Sequence, residues 1–418
     1  MSNKLRFPEF RNSWETRKIE SFVTEMRGGA SLTPSEILES GDYKIIPKKS
    51  IQAGGKIVID DDCSYVTEEV FNKFENNQVD KSYLLVVLRD LVPTGPSIGY
   101  IVENDKVDNG ILAQGVYGIK LSEELDEKYL IQFSNTPKYR RIMQKIMVGS
   151  TQVHIRNTTF LNVEIPYTCL EEQQKIADFL SHIDDVITAS EQEVAALEEQ
   201  KKGAMQKIFS QEVRFKADDG SEYPEWEEKR LEEIGEFYGG LSGKTKDDFG
   251  KGEDKYITYM NVYKNTFAKN ELLDTVIISE NEKQNRVKYG DVLFTQSSET
   301  VEEVGLTSVY LFDDEPTLNS FCFGLRTNDM KETYPEFMGY LFRTEYVRKQ
   351  IMREGQGISR INLSPNRIRS VSMFFPCLKE QQKIADFLSD FDTAIDLAKQ
   401  ELEQWKELKK GLLQQLFE

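Results

Sequence analysis

From Leu170 to Phe209, and again from Leu378 to Glu418, apolar side chains recur in alternating steps of four and three. Ile176, Leu180, Ile183, Ile187, Val194, Leu197, Ala204 and Ile208 keep this rhythm in the first stretch, with Ser190 and Lys201 at its weak positions. Ile384, Leu388, Phe391, Ile395, Ala398, Leu402, Trp405, Leu412 and Leu416 keep it in the second, where Lys409 is the one polar member. Steps averaging about 3.5 residues hold an apolar stripe on one side of a helix, the coiled-coil pattern. Neither stretch contains proline, and a helix of about 40 residues spans roughly 60 Å. A stripe of that length does not stay in water, so two matching stripes in one chain most simply bury each other.

The two stretches are copies. Cys169-Leu-Glu-Glu-Gln-Gln-Lys-Ile-Ala-Asp-Phe-Leu-Ser181 returns 208 positions later as Cys377-Leu-Lys-Glu-Gln-Gln-Lys-Ile-Ala-Asp-Phe-Leu-Ser389. In the same register Lys201-Lys202-Gly203 matches Lys409-Lys410-Gly411, and Phe209 matches Phe417. A repeat of this period divides the chain into two units, each a globular part followed by a helix. The expected boundaries are 1–168 and 169–212 for the first unit, 213–376 and 377–418 for the second.

Both units open alike. Pro8-Glu9 precedes Trp14-Glu15-Thr16-Arg17-Lys18-Ile19, and Tyr223-Pro224-Glu225 runs into Trp226-Glu227-Glu228-Lys229-Arg230-Leu231. Each reads as a lead-in to a short strand or helix. Gly28-Gly29 and Gly239-Gly240 suit a turn or a close backbone approach, with the plain turn as the leading reading. Short strands are expected at Tyr83–Arg89 and Gly115–Lys120, and at Asp291–Thr295, Thr307–Phe312 and Ser320–Arg326. A helical segment follows in each unit, Glu127–Met147 and Tyr334–Met352. The globular parts are therefore mixed α/β, and the chain as a whole is α+β.

Charge changes the picture locally. The chain carries a formal −18, of which −8 lies on the two long helices, where acidic faces suit solvent or a protein partner. Against this background Pro137–Val163 holds Lys138, Arg140, Arg141, Lys145 and Arg156 with no acidic residue. Tyr346–Phe375 holds Arg348, Lys349, Arg353, Arg360, Arg367 and Arg369 against Glu354 alone. Within these islands Ser150, Thr151, Gln152, His154 and Asn157 align with the segment containing Arg360 and Asn362. Lysine and arginine neutralise phosphates, and arginine, glutamine and asparagine also pair with base edges. Two such islands at equivalent places favour DNA contact. Tyr259, Asn261, Lys264, Gln296 and Ser297 add polar candidates in the second unit.

Other classes find little support. Two histidines, and four cysteines without metal-ligand spacing, supply no catalytic or metal-binding arrangement. No lysine–serine/threonine P-loop follows the paired glycines, and no dinucleotide or S-adenosylmethionine fingerprint follows a strand. No apolar run reaches a membrane span, and Met1–Pro8 lacks a signal-peptide core. A reduced cytoplasm suits the cysteine usage. The expectation is a chain without a catalytic site.

Taken together, these residues resemble a specificity subunit of a type I restriction–modification enzyme. The resemblance rests on the helix starts at Leu170 and Leu378, the paired Lys-Lys-Gly-x-x-Gln helix ends, the Pro-Glu…Trp-Glu openings and the Gly149-Ser-Thr-Gln152 loop, and covers essentially the whole chain. It implies two target-recognition domains, each reading one half of a split double-stranded DNA sequence. It also implies an antiparallel coiled-coil spacer with pseudo-twofold symmetry, on which two modification subunits dock. No cofactor is implied for this chain: S-adenosylmethionine belongs to the modification subunits, and ATP and magnesium to the restriction subunits. One departure is a proline placed three residues before Cys169 (Pro166) but directly before Cys377 (Pro376), which predicts different approaches to the two helices. The main alternative is a coiled-coil interaction scaffold that never meets DNA; a split-site nuclease is a weaker one.

Overall fold

The computed structural model describes residues 5–60, 62–328 and 332–417. Residues 1–4 of the opening and Glu418 of the second predicted helix lie outside that range. Four helices position the site: α1 (Pro137–Ile146), α2 (Leu170–Phe209), α3 (Glu345–Arg353) and α4 (Leu378–Phe417). The two long ones are each unbroken, as the apolar rhythm predicts. The chain forms two compact units, Met1–Gln192 with Ala398–Glu418, and Glu193–Leu397. The compact unit is thus not one globular part with its own helix: each takes half of α2 and half of α4.

In the first unit the last turns of α4 enter the core. Leu413, Leu416 and Phe417 are buried with Ile176, Ala177 and Leu180 of α2. The Phe417 ring lies 5.1 Å from Tyr129 and 5.5 Å from Phe133. In the second unit Ile208 of α2 joins Ile384, Ala385 and Leu388 of α4 in one core. There Phe209 lies 5.6 Å from Phe337 and 6.3 Å from Trp226. The pairing within each unit is therefore antiparallel. Of the seam residues, Ile183, Val194, Ile395 and Leu402 are buried and Ile187, Leu197, Phe391 and Trp405 half-buried.

The two globular parts share a plan. In the first, an antiparallel sheet runs in the order Val23–Gly28, Val116–Leu121, Leu84–Val87, Ile101–Glu103. In the second the order is Gly235–Gly239, Cys322–Thr327, Val292–Thr295, Thr307–Val309. Successive side chains of a strand point to opposite faces. Leu84 and Val86 accordingly join the core beside the long helices, while Leu85 and Val87 join a second core. Val292, Phe294 and Leu293 divide in the same way. Coverage on both faces explains the uninterrupted apolar run.

Each opening segment becomes a strand that pairs with the strand leading to the long helix, Glu15 opposite Tyr167 and Glu227 opposite Phe375. The repeated Glu-Gln pair at each helix start is a structural clamp. Glu172 is fully buried and accepts bonds from Arg6 at 2.7 and 2.9 Å. Glu380, also fully buried, accepts from Arg214 and from the Trp226 indole. Gln173 donates to the Glu124 and Thr168 carbonyls, Gln381 to those of Glu332 and Pro376.

Three expectations are corrected. The single helical segments are pairs of helices, because Thr136 and Thr344 cap new starts, accepting from Tyr139 N and Val347 N; Pro137 also fixes the first helical position of α1. The paired glycines are close approaches rather than turns: a Cβ at Gly29 would meet Ala113 O at 1.9 Å, and at Gly240 would meet Asn319 O at 2.1 Å. The shifted proline does not alter the approach to the helices, since α2 and α4 begin at equivalent residues and the same glutamine clamps each.

Candidate nucleic-acid interface

Beyond the central strand of each sheet the chain makes a short rung, β1 (Arg89–Asp90) in the first unit. It pairs antiparallel with β2 (Val153–His154), Arg89 opposite His154. In the second unit β3 (Ser297–Ser298) pairs with β4 (Ile361–Asn362), Ser297 opposite Asn362. β2 and β4 each form one arm of a narrow hairpin, bridged Val148 to His154 and Gln356 to Asn362. Gly149 and Gly357 turn these hairpins at φ of 125° and 139°. A Cβ there would meet Gln152 O at 1.9 Å and Arg360 O at 1.8 Å. Only glycine accepts both the backbone angle and the contact.

The hairpins stand in solvent. Ser150, Thr151, Gln152, His154, Arg156 and Asn157 are exposed, as are Arg360 and Asn362. Gln152 is oriented by Arg89, whose guanidinium donates to its Oε1 at 2.7 Å. Sequence reading missed Arg89, although its position matches that of Ser297 in the repeat. Beneath the first rung Asp90 is buried and takes bonds from Lys48 at 2.6 Å and from Ser97. Burial alone would raise its carboxyl, yet Lys48 and the Ser97 hydroxyl hold it well below the usual range.

Beside each hairpin lies α1 or α3. Lys138, Arg141 and Lys145 share the exposed face of α1 with Ile142, bordering a shallow groove of about 410 Å³. On α3, Lys349 and Arg353 are exposed, with Lys349 paired to Glu345. Arg367 is exposed and pairs with Glu354 at 3.2 Å.

Arg140 and Arg348 depart from expectation, for both turn inward. Arg140 donates to Ile98 O and Pro96 O at 2.7 and 3.1 Å and covers the Tyr100 ring. Arg348, 9% exposed, donates to the carbonyls of Glu302, Val304 and Gly305. Burial, with Arg343 nearby, lowers its guanidinium to about 10. The two occupy equivalent positions and clamp the loop that follows each rung. Asn261 is likewise interior, held by Lys269 through its backbone. Lys264 is exposed, while Tyr259, Gln296 and Ser297 are half-buried. Tyr259 donates to Ser297 O at 2.6 Å and so ties its short helix to β3.

Two basic hairpin faces on equivalent scaffolds suit phosphate neutralisation and base-edge contact. Among the described residues no helix is long and apolar enough to cross a membrane. A family model described as "Type I restriction modification DNA specificity domain" matches residues 12–199 and again 223–407. The MjaVIII type I restriction enzyme specificity subunit of Methanocaldococcus jannaschii is 24% identical over 428 residues, covering 99% of this chain and 93% of its own. The StySPI specificity subunit of Salmonella potsdam is 22% identical over 42% of this chain and 38% of its own. The crystal structure of a type I restriction–modification S subunit from M. genitalium superposes with a TM-score of 0.57 at 19% identity, covering 100% of this chain and 99% of that one.

Proposed function

The chain belongs to the type I restriction modification DNA specificity family, and from that premise we propose that it reads a bipartite double-stranded DNA target, one half with each hairpin face. The reading is carried by one observation: a glycine-pinned, solvent-facing hairpin beside a helix with exposed cations occurs in both units. In the first unit the contacts fall to Lys138, Arg141, Lys145, Arg156 and the hairpin tip. In the second they fall to Lys349, Arg353, Arg360, Asn362 and Arg367. Arg140, Arg348 and Asn261 support these faces from within.

The chain itself is non-catalytic and holds no cofactor in this proposal. Two modification subunits dock on the long helices, whose outer faces carry most of the helices' acidic residues, and supply S-adenosylmethionine for adenine methylation. Restriction subunits supply ATP and magnesium chemistry. The assembly works in the cytoplasm. Mapping modified adenines in the host genome tests the reading, because a two-part motif lost on deletion of this chain is the expected result. A coiled-coil scaffold indifferent to DNA would leave the pattern unchanged. It would also show no salt-dependent binding to duplex DNA when assembled with its partners.

A further inference from the structure

The second unit carries a cleft beside its rung. It holds about 440 Å³ beside β3 and the hairpin and is lined by Tyr259, Met260, Tyr263, Glu299, Phe321 and Arg360, among others. That volume falls in the range of roughly 300–1,000 Å³ typical of small-molecule sites. At the matching rung of the first unit, Arg89–Asp90, the Lys48–Asp90 ion pair stands in place of aromatic rings. The cleft walls are built. Tyr259 and Tyr263 stack at 5.9 Å, and their hydroxyls are fixed on Ser297 O and Glu303 Oε1. Phe321 is 59% exposed, yet its backbone is fixed on both sides, N to Asn319 Oδ1 and O from Gln296 N. An exposed aromatic ring on a fixed backbone is available for stacking.

The chemistry of the lining narrows the ligand. Rings and Met260 favour a flat, weakly polar body. The carboxylates of Glu299 and Glu303 repel phosphate from the interior and accept from an amine, as they would from the exocyclic amine of cytosine or adenine. Arg360, on the hairpin, offers a cation to a phosphate. Two residues before it, at the hairpin tip, Ile358 is fully exposed. Apolar side chains so placed enter base steps and unstack them.

On these grounds, and resting on the DNA-reading function above, we infer that the cleft receives an amine-bearing base lifted from the second half-site, while Ile358 occupies the vacated place in the stack. Extrusion of a base into a pocket of a recognition unit adds selectivity, since the base is read all round its edge.

The test uses the full chain assembled with its modification subunits, on duplexes carrying the mapped target. A fluorescent analogue, 2-aminopurine for adenine or a pairing-competent cytosine analogue, replaces each such base of the second half-site in turn. The expected result is a severalfold rise in fluorescence at one position that is not a methylated adenine. That rise disappears in Phe321→Ala and Ile358→Ser, both at exposed side chains, with unchanged melting temperature. Target binding without any rise, a rise confined to the methylated adenines, or a rise untouched by both substitutions overturns the inference and leaves the DNA-reading function standing. Absence of salt-dependent target binding overturns both.

Discussion

Lys201 of α2 ends 2.5 Å from Asp392 of α4, and the same ion pair recurs in the other unit between Lys409 and Asp184. The two lysines are polar members of largely apolar seams, and both are largely covered, at 16% and 13% exposure. Each aspartate accepts a second bond from the globular part, Asp392 from Tyr340 and Asp184 from Gln132. A polar group in a coiled-coil seam fixes register at some cost in stability. Asp392→Ala leaves Lys201 without its partner and is expected to destabilise the chain by about 1–3 kcal/mol, between the exposed and buried limits for ion pairs. Urea unfolding of the full chain measures it, and the exchanged pair Lys201→Asp with Asp392→Lys should recover part of the loss.

The Arg6–Glu172 clamp gives a pH dependence. Burial would raise the Glu172 carboxyl, but Arg6 and Thr168 bring it below its ordinary 4.5. A carboxylate lowered in the folded state stabilises above its unfolded value, and that contribution is lost as pH falls through the folded value. Glu172→Gln is expected to cost about 3 kcal/mol at pH 7, as breaking a buried pair does. Its deficit against the unsubstituted chain should shrink below about pH 4, which denaturant titrations at both pH values compare directly.

Arg348 and Arg353 sit five residues apart on α3 and should behave oppositely. Arg348→Ala strips three carbonyls of their donor in the interior and is expected to lower stability by about 2–4 kcal/mol. Arg353→Ala should leave the melting curve in place. It should weaken target binding and reduce the slope of log affinity against log salt by about 1.

This contrast marks what was legible beforehand. The helices, their seam and the repeated plan follow from spacing, because 3.5-residue periodicity and a 208-residue register survive in sequence. The inward turn of Arg140 and Arg348 does not, since charge alone does not tell a guanidinium facing water from one satisfying buried carbonyls. In the sequence, the repeated Glu172-Gln173 and Glu380-Gln381 pairs mark only a family resemblance. Their physical role, a clamp between helix and globular part, depends on partners as distant as Arg6 and Arg214. Arg89 escaped notice because it lies outside the basic islands, and Phe321 because an exposed ring is indistinguishable from a core ring in a strand-like run.

Gly357 ties backbone geometry to recognition. At φ 139°, with Arg360 O 1.8 Å from any added Cβ, Gly357→Ala forces the hairpin into another shape at a local cost of about 1–3 kcal/mol. The tip is solvent-exposed, so the loss of global stability should not exceed that local cost, while affinity for the target falls at least tenfold. Binding assays beside a thermal melt separate the two effects, and Gly149→Ala should do the same for the other half-site.

Helix length supplies the most direct test of a bipartite reading. Seven residues complete two turns of the 3.5-residue seam, so inserting seven of seam-compatible sequence after Gln192 and after Gln400 keeps both apolar stripes in phase. The insertion points leave Lys201–Asp392 and Lys409–Asp184 undisturbed. Each helix gains about 10 Å at 1.5 Å per residue, and base pairs rise about 3.4 Å each. The gap between half-sites in the methylated motif is therefore expected to widen by about three base pairs, with both half-site sequences unchanged. A motif survey in cells carrying the lengthened chain measures the gap. An unchanged gap would mean that the long helices do not set the spacing, whereas altered half-sites would mean that the hairpin faces are not what reads them.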